Sequence, residues 1–179
     1  MSYTIEDHKH VEAAWGAATG ARASKLCRFS VAVGRQILQE AGFTPYFGVT
    51  DLPLPAELDA RHAEWRAAVI EKAKAKSLSF THGIAAKLIN GYLKCRFVCG
   101  GDHEHERVCC LHPPIDALLL AKLAEMNFGG HAQQWRAFHD KRWSKFDSAT
   151  YQAVIDLMRK TLPAGEALWK IEVHWRGYQ

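Results

Sequence analysis

The chain has 179 residues, 48% of them hydrophobic, and a formal net charge of +4 at pH 7. This length suits one domain with a substantial core, and the small positive excess permits contact with phosphates without requiring it. The longest apolar run, Ala117 to Ala121, is far shorter than the roughly 20 residues that span a bilayer, and we expect no secretory signal. Five cysteines, an odd number, argue against a secreted disulfide framework, so we expect a cytoplasmic protein.

Apolar residues recur at helical spacing in the first half of the chain. A helix is predicted over residues 22–41, with an apolar face formed by Leu26, Phe29, Val33 and Ile37 and a basic face formed by Lys25, Arg28 and Arg35. Proline and glycine predict a loop over 43–55. A second helix is predicted from about 56 to 76, with lysines at its solvated end.

The segment from about 79 to 99 is predicted to be a central helix, because its apolar face is unusually broad. Ser79 or Thr81 can cap its start. Its remaining polar strip consists of Lys87, Asn90 and Lys94, at spacings i, i+3 and i+7. Two lysines and an amide on a mostly buried helix need partners or a polar cleft. These three residues are therefore the candidate ligand-binding side chains.

The second half of the chain also indicates helices. After a loop over 100–107, Pro113 and Pro114 suit the first turn of a helix, with Asp116 near its N-terminus. Further helices are predicted around the aromatic and basic stretch 135–146 and over 147–163. The C-terminal segment fits either a helix or a short strand, and we favour a helix, since a strand would lack partners. The sequence thus predicts one mainly α, bundle-like domain over 1–179, with about six to seven helices.

A stretch rich in cysteine and histidine offers possible zinc ligands, namely Cys95, Cys99, His103, His105, Cys109, Cys110 and His112. Thiolate and imidazole are the ligands that Zn²⁺ prefers. Cys95 and Cys99, however, lie one turn apart on an apolar helix, where cysteine is an ordinary small hydrophobe. We favour packing, expect no cofactor, and keep a zinc-stabilised interaction module as an alternative.

Arg107 and His112 are spaced as Arg-x₄-His, and Arg96-x₆-His103 lies beside them. This looks like the Arg-x₄₋₆-His motif of the HEPN ribonuclease superfamily. The resemblance implies metal-independent RNA cleavage in a helical dimer, with His112 as general acid or base and Arg107 stabilising charge on the phosphate. Val108 stands where the family has a polar residue.

His112 and Asp116 allow a different catalytic hypothesis, in which the carboxylate orients the imidazole for proton transfer. The simpler interpretation is a helix start with a carboxylate favoured by the helix dipole, and we prefer it. Basic residues and aromatics together also suit a nucleic-acid surface. The aromatics of the stretch 135–146, Trp135, Phe138, Trp143 and Phe146, are more often core anchors, and we prefer that interpretation for them.

Three motifs between residues 79 and 120 resemble a set of uncharacterised bacterial proteins: Phe80-Thr81-His82-Gly83, Lys87-x₂-Asn90-x₂-Leu93-Lys94 and His112-x-Pro114-Ile115-Asp116. The resemblance implies that Lys87, Asn90, Lys94, His112 and Asp116 belong to one site. We expect a polar cleft that binds a phosphate-bearing ligand, either nucleic acid or a nucleotide. Phosphodiester hydrolysis by His112 with Arg107 is the enzymatic alternative, and whether the protein is an enzyme is left open.

Overall fold

The computed structural model describes residues 3–22 and 27–177, and every regular element in these ranges is helical, which confirms the predicted mainly α fold. The α-helices are α1 (Ile5–Ala21), α2 (Val31–Glu40), α3 (Leu58–Lys74), α4 (His82–Leu93), α5 (Glu106–Cys109), α6 (Ala117–Glu125), α7 (Ala132–Lys141) and α8 (Ser148–Thr161). A π-helix, Lys94–Asp102, continues α4, and a 3₁₀-helix spans Leu168–His174. No helix in the described ranges is both long and apolar enough to cross a membrane.

Helix α1 is not predicted by the apolar periodicity of the sequence. Its buried residues are all alanines: Ala13, Ala14, Ala17, Ala18 and Ala21. Alanine forms helices well but marks an apolar face only weakly. The start of α1 does carry a recognisable signal, because Thr4 and Asp7 form a reciprocal capping box.

The first predicted helix, over residues 22–41, begins later than its pattern indicates. Helix α2 starts at Val31, because the Ser30 hydroxyl caps it by accepting a hydrogen bond from the Val33 amide at 3.2 Å. Lys25 and Leu26 of the predicted faces lie outside the described residues. Arg28 and Arg35 are exposed, as predicted for the basic face.

In the second half, two predicted boundaries are wrong. Pro113 and Pro114 do not enter a helix, since α6 begins only at Ala117, after Asp116 as its N-cap. The aromatic and basic stretch is divided at Arg142, whose φ of 68° ends α7. The C-terminal segment is helical, as favoured, but forms a 3₁₀-helix.

Helix α4 lies at the centre of the molecule, as its broad apolar face predicts. Nine of its twelve residues are buried. Two glycines let neighbouring backbone approach it closely. A Cβ atom on Gly91 would lie 3.1 Å from the Ala17 Cα atom of α1, and a Cβ atom on Gly83 would lie 1.8 Å from the Trp143 carbonyl oxygen. Neighbouring backbone therefore meets α4 at spacings that favour glycine at these two positions.

Two glycine-to-alanine variants should change stability in opposite directions. Gly83→Ala should lower the free energy of unfolding by about 1–3 kcal/mol, because the new methyl group overlaps backbone. Gly20→Ala, in α1, should raise it by up to about 1 kcal/mol, because alanine favours the helix and its Cβ atom meets nothing within 4 Å. Urea denaturation measures both changes, and equal effects of the two variants would contradict this account.

Candidate functional site

Two of the expected ligand-binding residues, Lys87 and Lys94, face one cleft between α1, α4 and the C-terminal 3₁₀-helix. The cleft has a volume of about 240 Å³. It is lined by Gly16, Ala17, Gly20, Lys87, Gly91, Lys94, Cys95, Pro114, Asp116, Glu172 and Trp175. Small residues of α1 and α4 form one wall, and the charged side chains lie together with Trp175 on the others.

The Lys87 side chain is only 12% exposed and has two partners that suit a cation. Its ammonium donates to Asp116 Oδ2 at 3.0 Å and lies 4.7 Å from the centre of the Trp143 ring. Burial lowers the pKa of Lys87, while the carboxylate of Asp116 opposes this shift. The ion pair thus compensates a charge that is largely removed from water.

Asp116 is held by three hydrogen bonds. Its Oδ1 atom accepts from the Leu119 amide at 3.0 Å, which caps α6, and its Oδ2 atom also accepts from Trp175 Nε1 at 2.8 Å. The dyad considered between Asp116 and His112 is not formed, because Asp116 is directed toward Lys87. The preferred interpretation of this carboxylate, a helix start, agrees with the cap.

A second ion pair joins Lys94 to Glu172, whose side chains are 33% and 14% exposed. Burial raises the pKa of Glu172, although the charge of Lys94 opposes the shift. For Lys94, burial alone would lower the pKa, but the pairing with Glu172 outweighs it and raises the pKa. Lys94 is therefore a protonated cation at neutral pH and the more accessible of the two lysines in the cleft.

The two ammonium groups of the cleft carry N–H groups beyond the ones that they donate to Asp116 and Glu172. An ammonium carries three N–H groups. Within the described residues, Lys87 and Lys94 each donate to one carboxylate, whereas Asp116 already accepts three hydrogen bonds. The wall of small residues from α1 and α4 leaves open space, since a Cβ atom on Gly20 would meet nothing within 4 Å. This arrangement suits a small ligand rich in acceptor oxygens.

Asn90 and His112 do not reach the cleft and lie instead in a buried hydrogen-bonded network. Asn90 is fully buried; its amide group donates to the Pro113 carbonyl and to the Tyr151 hydroxyl, both at 2.9 Å. The Tyr151 hydroxyl in turn donates to His112 Nδ1 at 3.0 Å. These partners assign the proton of His112 to Nε2.

His112 Nε2 donates to Asp59 Oδ1 at 2.9 Å, so the carboxylate partner of this imidazole is Asp59. Arg159 contacts both oxygens of Asp59 at 2.6 Å. The hydrogen bond from His112, together with Arg159, holds the pKa of Asp59 far below its usual range. This group joins α3 to α8; His112 is only 2% exposed, whereas the side chains of Asp59 and Arg159 are 40% and 35% exposed.

The network continues from Asn90 to two further residues of α3, His62 and Arg66. His62 Nε2 donates to Asn90 Oδ1 at 2.7 Å, and His62 Nδ1 accepts from Arg66 Nη1 at 2.6 Å. The Arg66 guanidinium also lies 4.4 Å from the centre of the Tyr151 ring. Burial lowers the pKa values of both His62 and His112. Both imidazoles are therefore neutral members of a structural network.

The structure does not assemble the Arg107 and His112 pair of the HEPN resemblance. Arg107 Nη1 donates to the carbonyl oxygens of Thr50 and Leu52 and so joins α5 to the segment between α2 and α3. Arg96, of the second pair, is buried and donates to the Glu6 carbonyl oxygen at 2.8 Å. Both arginines bind backbone oxygens, which occupies the groups that would stabilise a phosphate.

The cysteine and histidine stretch does not gather into a metal site. Among the described residues, no group of three or more histidine, cysteine, aspartate or glutamate side chains is placed to hold a metal ion. Cys109 donates to the His103 carbonyl oxygen, and His105 caps α5 by accepting from the Arg107 amide. In the aromatic stretch, Trp135 and Phe146 are core residues, as the preferred interpretation predicts.

The sequence patterns do not mark several residues of the cleft and of the buried network as functional or structural polar residues: Asp59, His62, Arg66, Tyr151, Arg159, Glu172 and Trp175. His62 and Arg66 had a detectable signal, because they share a helical face with Leu58, Val69 and Ala73. Polar residues on such a face need buried partners. Glu172 lacks a comparable signal, since it alternates with apolar residues in a segment of ambiguous periodicity.

Removing the Tyr151 hydroxyl should destabilise the fold. Tyr151→Phe leaves the Asn90 amide and His112 Nδ1 without this partner, and should lower the free energy of unfolding by about 1–3 kcal/mol. Tyr46→Phe is the control, because Tyr46 is 85% exposed. Chemical denaturation of both variants measures the difference, and a Tyr151→Phe variant as stable as the control would contradict the network.

Stability should also fall with acidification. Because the pKa values of His62 and His112 lie below the ordinary 6.5, the unfolded chain binds more protons than the folded chain as the pH falls through that value. The free energy of unfolding should therefore decrease between about pH 7.5 and 5.5, by up to about 1.4 kcal/mol per pH unit for each histidine. His112→Gln should reduce this slope, and the control Gln133→Ala, at an exposed position without a titratable side chain, should not. A slope equal in wild type and His112→Gln would contradict the assignment.

Comparison with known proteins does not assign this chain to a family. No protein-family model, no curated protein and no solved structure matches this chain. The motif resemblance to bacterial proteins thus stays a prediction.

Proposed function

We propose that this protein binds a small phosphate-bearing ligand in the cleft of Lys87 and Lys94. The proposal depends on one observation: the ammonium groups of Lys87 in α4 and Lys94 at the start of the π-helix, seven residues apart, face one cleft, and each pairs with only one carboxylate of the described chain. Phosphate oxygens accept hydrogen bonds from such groups, and the bonds are strong because both partners are charged. Asp116 and Glu172 keep the empty cleft nearly neutral, so the lysines are held in position before the ligand arrives.

The size of the cleft favours a nucleotide or a chain end over the body of a nucleic acid. A volume of about 240 Å³ admits one or two small groups. Binding along a nucleic-acid backbone requires a longer basic track. Five free thiols, all in the described part of the chain, support a reducing compartment, and we propose the cytoplasm.

The direct test measures dissociation constants for inorganic phosphate, AMP and a single-stranded oligonucleotide by calorimetry. Lys94→Gln should weaken binding by about tenfold or more, because a hydrogen bond to a charged group contributes about 1.5–3 kcal/mol. Lys94 is preferred to Lys87 as a test, since it is more exposed and its loss disturbs the core less. Lys74→Gln, at an exposed lysine of α3, is the matched control.

A second variant blocks the cleft without changing its charge. Gly20→Leu adds a side chain where the wall of small residues leaves open space. It should abolish ligand binding while the protein stays folded. Circular dichroism and the melting temperature check the fold. The proposal is wrong if no phosphate compound binds, or if Lys94→Gln and Gly20→Leu bind as tightly as Lys74→Gln. A preference for the oligonucleotide over AMP would identify a nucleic-acid end as the ligand.

A further inference from the structure

A second and larger pocket adjoins the cleft on the other side of the Lys94 and Glu172 pair. Its volume is about 600 Å³. We call it the tryptophan pocket; it is lined by Lys94, Val98, Cys99, Trp169, Lys170, Glu172, Val173 and Trp175. Lys94, Glu172 and Trp175 line both cavities. The two cavities are therefore neighbouring parts of one concave surface.

Two indole side chains of the C-terminal segment shape this pocket. Trp175 is fixed in place by its Nε1 hydrogen bond to Asp116 and by close packing of Gly177, where an added Cβ atom would lie 2.0 Å from the indole ring. Trp169 packs edge-on against His103, with ring centres 6.2 Å apart. The Trp175 indole is thus held by contacts outside the pocket, which suits a preformed binding surface.

The Trp169 indole also carries a hydrogen-bond donor that the described chain does not use. Its Nε1 atom is buried and has no acceptor among the described residues. Buried polar groups in folded proteins almost always have a partner. A ligand with an acceptor nitrogen or oxygen in the tryptophan pocket would supply one after a small movement of the ring.

We propose that the tryptophan pocket binds the aromatic base of a nucleotide whose phosphate lies in the cleft of Lys87 and Lys94. Indole faces stack on planar bases, and ring acceptors of a base can pair with Trp169 Nε1. The volume of about 600 Å³ accommodates a nucleoside. A purely apolar chain fits less well, because Lys170 and Glu172 line the same pocket. The inference rests on the proposed phosphate site and extends it to a ligand class.

The test compares inorganic phosphate with AMP, GMP, CMP and UMP, by calorimetry and by quenching of tryptophan fluorescence. At least one nucleotide should bind about tenfold or more tightly than inorganic phosphate, since base stacking on an aromatic side chain contributes a factor of about 5 to 150. Trp169→Phe retains a ring but removes the N–H donor. Cys99→Leu fills the pocket from an exposed position, and Ala67→Leu, exposed on α3, is its matched control.

Both pocket variants should weaken binding of the preferred nucleotide by about tenfold and leave the binding of inorganic phosphate unchanged. The inference is overturned, with the phosphate site intact, if phosphate binds and no nucleotide binds more tightly. It is also overturned if Cys99→Leu and Trp169→Phe bind the nucleotide as tightly as Ala67→Leu does. Absence of phosphate and nucleotide binding alike would instead overturn the proposed function itself.

Discussion

The side chain of Asn90 has no exposure to solvent, and its amide group makes hydrogen bonds to three separate parts of the chain. These partners are His62 on α3, Tyr151 on α8 and the carbonyl of Pro113 before α6. A buried amide without partners is costly, so the three elements must pack against α4 together or not at all. The packing around α4 thus depends in large part on one buried polar residue of this helix.

The cleft follows from the same constraint. The bond between Asn90 and Pro113 holds the segment that ends at Asp116 alongside α4. Lys87 lies three residues before Asn90 on α4, so Asp116 is placed opposite it. One oxygen of Asp116 accepts from Lys87, and the other caps α6. One polar strip on α4 therefore supports two different environments: a sealed network around Asn90 and an open cleft at the lysines.

The two environments suit different roles. The histidines of the network are buried and neutral, because burial lowers their pKa values, so the network contributes stability that depends on pH. The cleft keeps two ammonium groups charged by pairing each with a carboxylate, at a surface where a ligand can enter. We therefore assign a structural role to His112 and Asn90 and propose a binding role for Lys87 and Lys94, although the sequence motifs group all four.

The sequence alone predicts what local interactions control. The mainly α fold, the central position of α4 and the role of Asp116 at a helix start follow from periodicity and capping, which involve residues a few positions apart. The alanine face of α1 is the local feature that periodicity fails to show. The polar strip also marks Lys87, Asn90 and Lys94 correctly as residues that need partners.

Only the tertiary structure decides which partners they have. Asp59 and His112 are 53 residues apart, and Lys94 and Glu172 are 78 apart. No periodicity relates positions at such separations, because their contact depends on how whole helices pack. For the same reason, the spacing of Arg107 and His112 suggests a pair that the fold separates, while the carboxylate that does bind His112 comes from α3.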